Sequence, residues 1–210
     1  MGKNKQKRFD ENKILPNVFQ PTRAEALEGF NLKGKWRNEV FKNENPIVLE
    51  LGCGKGEYSV GLAKAFPEKN FIGIDIKGAR FWFGAKEAIE KNLTNVAFLR
   101  TQIELVDQFF EENEVDEIWI TFPDPQIKYR HTKHRMTGPE FLERYQKILK
   151  KDGIMHLKTD SEFALAFEKH KILIEGINQH EQRTHLKQIL STIHKQEFGS
   201  DAKIISIKQD

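Results

Sequence analysis

From Ile47 onward, short apolar runs alternate with longer amphipathic segments, and this alternation constrains the chain more than any other feature. The apolar runs are IVLEL (47–51), FIGID (71–75), VAFLR (96–100), EIWITF (117–122) and GIMHLKT (153–159). Residues 57–66, 78–91, 104–112, 138–150 and 161–176 carry helix-like spacing between and after them. Strand-length runs that alternate with helices build repeated βαβ units, whose crossovers cover both faces of a parallel sheet. The expected fold is therefore an open, doubly wound, Rossmann-like α/β domain. Two further strand-like segments, THLKQIL (184–190) and KIISIK (203–208), read as a C-terminal antiparallel hairpin closing one sheet edge. Residues 1–20 are polar, basic and aperiodic, and read as a flexible N-terminal arm ahead of a single domain over 21–210.

The chain's 210 residues suit one such domain with a substantial core. Lys and Arg number 34 against 31 Asp and Glu, so the net charge of +3 does not by itself point to a polyanion partner. Local clustering of the basic residues decides that question. One cysteine, Cys53, excludes an internal disulfide framework and a cysteine-built zinc site, and fits a reducing, cytoplasmic setting. The N-terminus MGKNKQKRFDENK has no signal-like apolar stretch, and no window approaches the length of a membrane span. No membrane association is expected.

In doubly wound sheets, ligands bind beyond the carboxyl ends of the strands. The first such turn reads Glu50-Leu-Gly52-Cys-Gly54-Lys-Gly56-Glu57. Three glycines at alternate positions allow a sharp turn and a close backbone approach, which suits a nucleotide-like cofactor. The spacing is G-x-G-x-G, whereas a dinucleotide fingerprint is G-x-G-x-x-G with pyrophosphate on the helix N-terminus. Carboxylates at Glu50 and Glu57 repel a pyrophosphate but can pair with a cationic amino-acid moiety or sulfonium. S-adenosylmethionine is the favoured cofactor. Asp75, at the end of the second run, can accept from ribose hydroxyls, a feature shared with NAD enzymes.

After the fourth run comes Pro123-Asp124-Pro125-Gln126-Ile127-Lys128-Tyr129-Arg130-His131-Thr132-Lys133-His134-Arg135. The flanking prolines restrict the backbone and can pre-aim Asp124. Residues 128–135 hold four Lys or Arg and two His with no carboxylate, a density suited to RNA phosphates. His131 and His134 lack acidic or cysteine companions, so no metal is expected.

These residues resemble the bacterial tRNA (guanine-N7)-methyltransferase family. That family carries E-x-G-x-G-K-G, F-I-G-I-E/D, F-P-D-P-W-x-K-x-R-H-x-K-R-R, P-E-F-L, H-L-K-T-D and a C-terminal T-x-x-E. Here the same order reads ELGCGKG, FIGID, FPDPQIKYRHTKHR, PEFL (139–142) and HLKTD (156–160). The sequence departs at Gln126 and Ile127, at Gln102 where the family has an acid, and at Lys195, the fourth residue from Thr192. The resemblance implies a class I methyltransferase fold and methyl transfer from S-adenosylmethionine to N7 of guanosine 46, in the variable loop of tRNA. It implies cofactor contacts at Glu50, Gly52, Gly54, Gly56, Asp75, Gln102 and Asp124, with Asp124 catalytic. Substrate contacts would be Lys128, Arg130, Lys133, Arg135, Asp160, Thr192 and Lys195, in a monomer or homodimer. A non-catalytic RNA-binding protein on this fold, or a methyltransferase with another substrate, stays open as an alternative.

Overall fold

The computed structural model describes residues 3–124, 126, 133–159 and 203–208. Six strands run parallel: β1 (Val18–Phe19), β2 (Ile47–Leu51), β3 (Asn70–Ile74), β4 (Val96–Leu99), β5 (Val115–Thr121) and β6 (Leu149–Thr159). A seventh, β7 (Lys203–Lys208), pairs antiparallel with β6, and the order across the sheet is β1-β4-β3-β2-β5-β6-β7. The order reverses at β2, where neighbours on either side arise from opposite directions of winding. That switch point opens a crevice at the strand carboxyl ends. The expected α/β sheet is present; β7 runs antiparallel beside β6, and the other strand of the expected C-terminal hairpin, 184–190, lies outside the described residues. A strand beside β6 satisfies that strand's outer hydrogen-bonding edge directly.

Strands β2, β3 and β4 are buried along their whole length, as a central sheet covered on both faces requires. One apolar layer joins Trp36, Leu49, Ile72, Leu99, Phe109, Ile118 and Tyr145; the other joins Val60, Phe81, Ala85, Phe98 and Trp119. The covering helices include α3 (Glu57–Ala65), α4 (Gly78–Glu90) and α5 (Pro139–Ile148). The helix expected over 104–112 is instead a 3-10 helix, Ile103–Gln108. Two carbonyls that would serve a longer α-helix are taken by side chains: Lys33 Nζ donates to Asp107 O and Trp36 Nε1 to Phe109 O.

The N-terminal segment departs from the flexible arm expected of it. Lys3–Asn12 form helix α1, which packs along α4, and Val18–Phe19 then add β1 to the outer edge of β4. Aromatic and amide side chains supply the adhesion that an aperiodic basic string conceals. The Arg8 guanidinium lies 4.3 Å from the Phe83 ring centre, Trp82 Nε1 donates to Glu11 at 2.6 Å, and buried Asn12 donates to Gly78 O at 2.9 Å. Helix α2 (Arg23–Gly29) starts with a capping box in which Thr22 and Glu25 satisfy each other's backbone amides.

Candidate active site

The glycine turn joins β2 to α3 and is held from beneath by β3. Gly52 N and Cys53 N both donate to Ile74 O, at 2.8 and 3.0 Å. Asp75, next along, accepts from Gly54 N through Oδ2 at 3.0 Å and from Lys77 N through Oδ1 at 2.8 Å. A carboxylate offers about four acceptor positions, so Asp75 braces the turn and keeps lone pairs for a ligand. The glycines divide the work. Gly56 has φ +86°, and a Cβ there would stand 2.6 Å from the Phe98 ring, so this position packs the turn onto the sheet. Gly54 has φ +60°, and a Cβ there would meet nothing within 4 Å, so its backbone faces open space. An exposed backbone cradle beside an accepting carboxylate fits the nucleoside cofactor that the turn's sequence suggests.

Glu50 stands differently from a surface ligand. It is buried, and its two oxygens accept from Ser59 Oγ on α3 and from Thr121 Oγ1 at the end of β5, the latter at 2.9 Å. Burial pushes its carboxyl up to about 7, against the lowering effect of the two hydroxyl hydrogen bonds. Glu50 thus ties the glycine turn, the first turn of α3 and the strand that delivers Asp124. Burial likewise pushes the Cys53 thiol up, reinforced by the negative charges of Glu50, Asp75 and Glu57, which removes it from thiolate chemistry. Lys55 lies 3.2 Å from Glu57 and meets part of that carboxylate's charge.

Strand β5 ends in a strained turn. Phe122 has φ +47°, unusual for a residue with a Cβ, and its amide donates to Lys158 O on β6 at 2.7 Å. Beneath it lies the buried Lys158, whose Nζ donates to Tyr58 Oη at 3.0 Å and sits 4.8 and 5.6 Å from the Tyr58 and Phe122 ring centres. Burial pushes its ammonium down to about 8. Asp124 follows, exposed, with Oδ1 accepting from Gln126 N at 3.0 Å. The chain returns at residues 133–136. Lys133 is exposed, His134 Nδ1 is 4.0 Å from Glu104, and Met136 would lie 3.8 Å from a Cβ on Gly52. The residue that follows the basic block is therefore laid against the glycine turn.

Of the expected site residues, Glu50, Gly52, Gly54, Gly56, Asp75 and Asp124 lie along the carboxyl edges of β2, β3 and β5. Gln102, exposed beyond β4, accepts from Arg23 Nη1 at 3.2 Å. Arg135, expected on phosphate, is buried, and its Nη2 donates to Gln126 O at 3.1 Å. Lys128, Arg130, Asp160, Thr192 and Lys195 lie outside the described residues. Among the described residues, no group of three or more His, Cys, Asp or Glu could hold a metal ion. Sequence reasoning missed Ser59, Thr121, Tyr58, Lys158 and Met136. Lys158, a charge near the end of the strand-like run GIMHLKT, was the one with a visible signal.

Comparisons with known proteins bear on the fold and the family. A family described as putative methyltransferase matches residues 44–204. The chain is 55% identical over 215 aligned residues to a tRNA (guanine-N(7)-)-methyltransferase of Christiangramia forsetii, covering 98% of this chain and 96% of that protein. It is 55% identical to a protein of the same name from Bacteroides fragilis, covering 84% and 70%. A Listeria monocytogenes protein of that name is 35% identical, covering 81% of each. Among solved structures, the fold matches the aminoglycoside resistance methyltransferase NpmB1 with TM-score 0.56 at 16% identity, covering 82% of this chain and 91% of that one. The 16S rRNA methyltransferase KamB matches with TM-score 0.55 at 12% identity, covering 82% and 92%. The chain belongs to the tRNA (guanine-N7)-methyltransferase family.

Proposed function

We propose that the chain transfers a methyl group from S-adenosylmethionine to N7 of a guanosine in tRNA, at position 46 of the variable loop. The observation that supports this reading is the approach of Met136, which directly follows the basic block, to Gly52 of the glycine turn. Gly52, Gly54 and Asp75 would hold the cofactor, with Gln102 bordering the same edge and Glu50 and Gly56 bracing the turn behind it. When bound, S-adenosylmethionine supplies an electrophilic methyl group on a sulfonium.

Guanine N7 has an in-plane lone pair and no proton, so no general base is needed and alignment dominates the barrier. Methylation leaves positive charge on the imidazole ring. The fixed carboxylate of Asp124 would stabilise that charge as it develops, without reorganising at the moment of reaction. Lys128, Arg130 and Lys133 would hold tRNA phosphates, with Asp160, Thr192 and Lys195 at the guanine. A tRNA substrate suits a cytoplasmic protein, and no helix among the described residues is long and apolar enough to cross a membrane.

The test is transfer of labelled methyl from S-adenosylmethionine to unmodified tRNA, followed by mild reduction and aniline cleavage. Cleavage at one variable-loop guanosine is expected. Incorporation elsewhere would overturn the position, and cofactor binding without incorporation would overturn the substrate.

A further inference from the structure

The basic block contains two kinds of cation. Lys133 is exposed, as a phosphate ligand has to be, whereas Arg135 keeps only 8% of its surface. Arginine is always charged, and a buried guanidinium is costly unless its donors are engaged. Arg135 Nη2 donates to Gln126 O at 3.1 Å, the amide of Gln126 donates to Asp124 Oδ1 at 3.0 Å, and Gln126 itself is held at φ +45°. Arg135 is also anchored from behind. Its carbonyl accepts from Gly138 N at 2.9 Å at the start of α5, and the next residue, Met136, faces Gly52 of the cofactor turn.

We propose that Arg135 is a positioning residue for Asp124: it holds the backbone of Gln126 at its carbonyl, the N–H of the same residue sets the carboxylate, and Arg135 so fixes the aim of Asp124 relative to the cofactor turn instead of binding tRNA phosphate. This rests on the proposed role of Asp124 in methyl transfer. A carboxylate on an exposed turn rotates freely unless its acceptor lone pair is engaged by a fixed donor. Gln126 at positive φ is such a donor only while something holds that conformation, because a side chain with a Cβ disfavours it. Arg135, held through its backbone carbonyl by Gly138 N at the start of α5, supplies that hold through its guanidinium on Gln126 O. The two cations thus do separate work: Lys133 contributes to affinity, and Arg135 contributes to alignment.

The two roles leave different marks. A phosphate contact contributes to the salt dependence of binding, so its removal lowers the slope of log K against log salt by about 0.7–0.9. A residue that aligns reacting groups lowers kcat, by about 10- to 100-fold for a displacement on the order of 1 Å, and leaves the slope alone. The experiment measures tRNA affinity across a salt series and kcat at saturating tRNA and cofactor for wild type, Lys133→Ala, Arg135→Ala and Arg135→Gln. The expected result for Lys133→Ala is a reduced slope. For Arg135→Ala it is an unchanged slope with kcat reduced at least about tenfold. Arg135→Gln loses the charge but keeps an N–H donor, and should recover part of that kcat with the slope still unchanged. A reduced slope in either Arg135 variant, or an Arg135→Ala kcat equal to wild type, overturns the proposal. If Arg135→Ala melts without cooperativity, Arg135→Gln decides by the same criteria. Asp124→Asn, run alongside, separates the outcomes: if it keeps full kcat, the role of Asp124 fails whatever Arg135 does.

Discussion

Asp124 and Glu50 are both carboxylates at the carboxyl edge of the sheet, yet their surroundings assign them opposite work. Asp124 is exposed on a turn and aimed by one amide, which suits stabilisation of charge that develops outside the protein. Asp124→Asn should lower kcat about 100-fold while leaving the dissociation constant for S-adenosylmethionine within about twofold of wild type, by single-turnover kinetics and calorimetry. Glu50 is buried, and its pKa in the fold, about 7, lies above the ordinary carboxylate value. Raised folded pKa means that folding favours the protonated form. Its stabilising effect is complete below the ordinary pKa and is lost as pH rises toward and through about 7. Glu50→Gln removes that penalty, so its melting temperature should fall less than that of wild type between pH 5 and pH 8.5, in a thermal melt at each pH. Both residues stood out in the sequence as site candidates. Their difference did not, because burial and hydroxyl partners come from Ser59 and Thr121, which are distant in the chain.

The glycine turn shows how one element serves packing and binding together. Gly54 faces space and Gly56 faces the Phe98 ring, so equal glycines in the motif have unequal tolerance. Gly56→Ala places a methyl 2.6 Å from that ring at φ +86°, and both the clash and the left-handed conformation oppose it. It should destabilise the fold by about 2 kcal/mol or more, read by denaturant unfolding, and weaken cofactor binding with it. Elements were legible from the sequence where a buried face repeats. β2 matches its expected bounds, and α3 and α4 each end one residue short of theirs. The 3-10 helix at Ile103–Gln108 was not legible as such, since the side chains of Lys33 and Trp36 that take the Asp107 and Phe109 carbonyls belong to another part of the chain.

At the scale of the whole molecule, the N-terminal helix braces the edge of the sheet that carries the proposed cofactor site. Asn12 bonds to Gly78 O at the first turn of α4, and Phe9 lies beneath the Arg100 guanidinium, whose Nε donates to Ile76 O beside Asp75. A chain lacking residues 1–13 should melt about 2–4 °C lower, for a loss on the order of 1 kcal/mol, and bind the cofactor more weakly; an unchanged melt and affinity would show that α1 is dispensable. The sequence by itself determined the doubly wound sheet, the glycine turn, and the clustering of Asp124 with basic residues, because periodicity and motif order are local properties of the chain. Only the tertiary structure decided that Arg8 and Trp82 fasten a basic N-terminal segment, that Glu50 faces inward, and that Arg135 is buried against Gln126. The physical reason is the same in each case. A side chain's charge is written at its own position, but its burial and its partners are set by residues that only folding brings beside it.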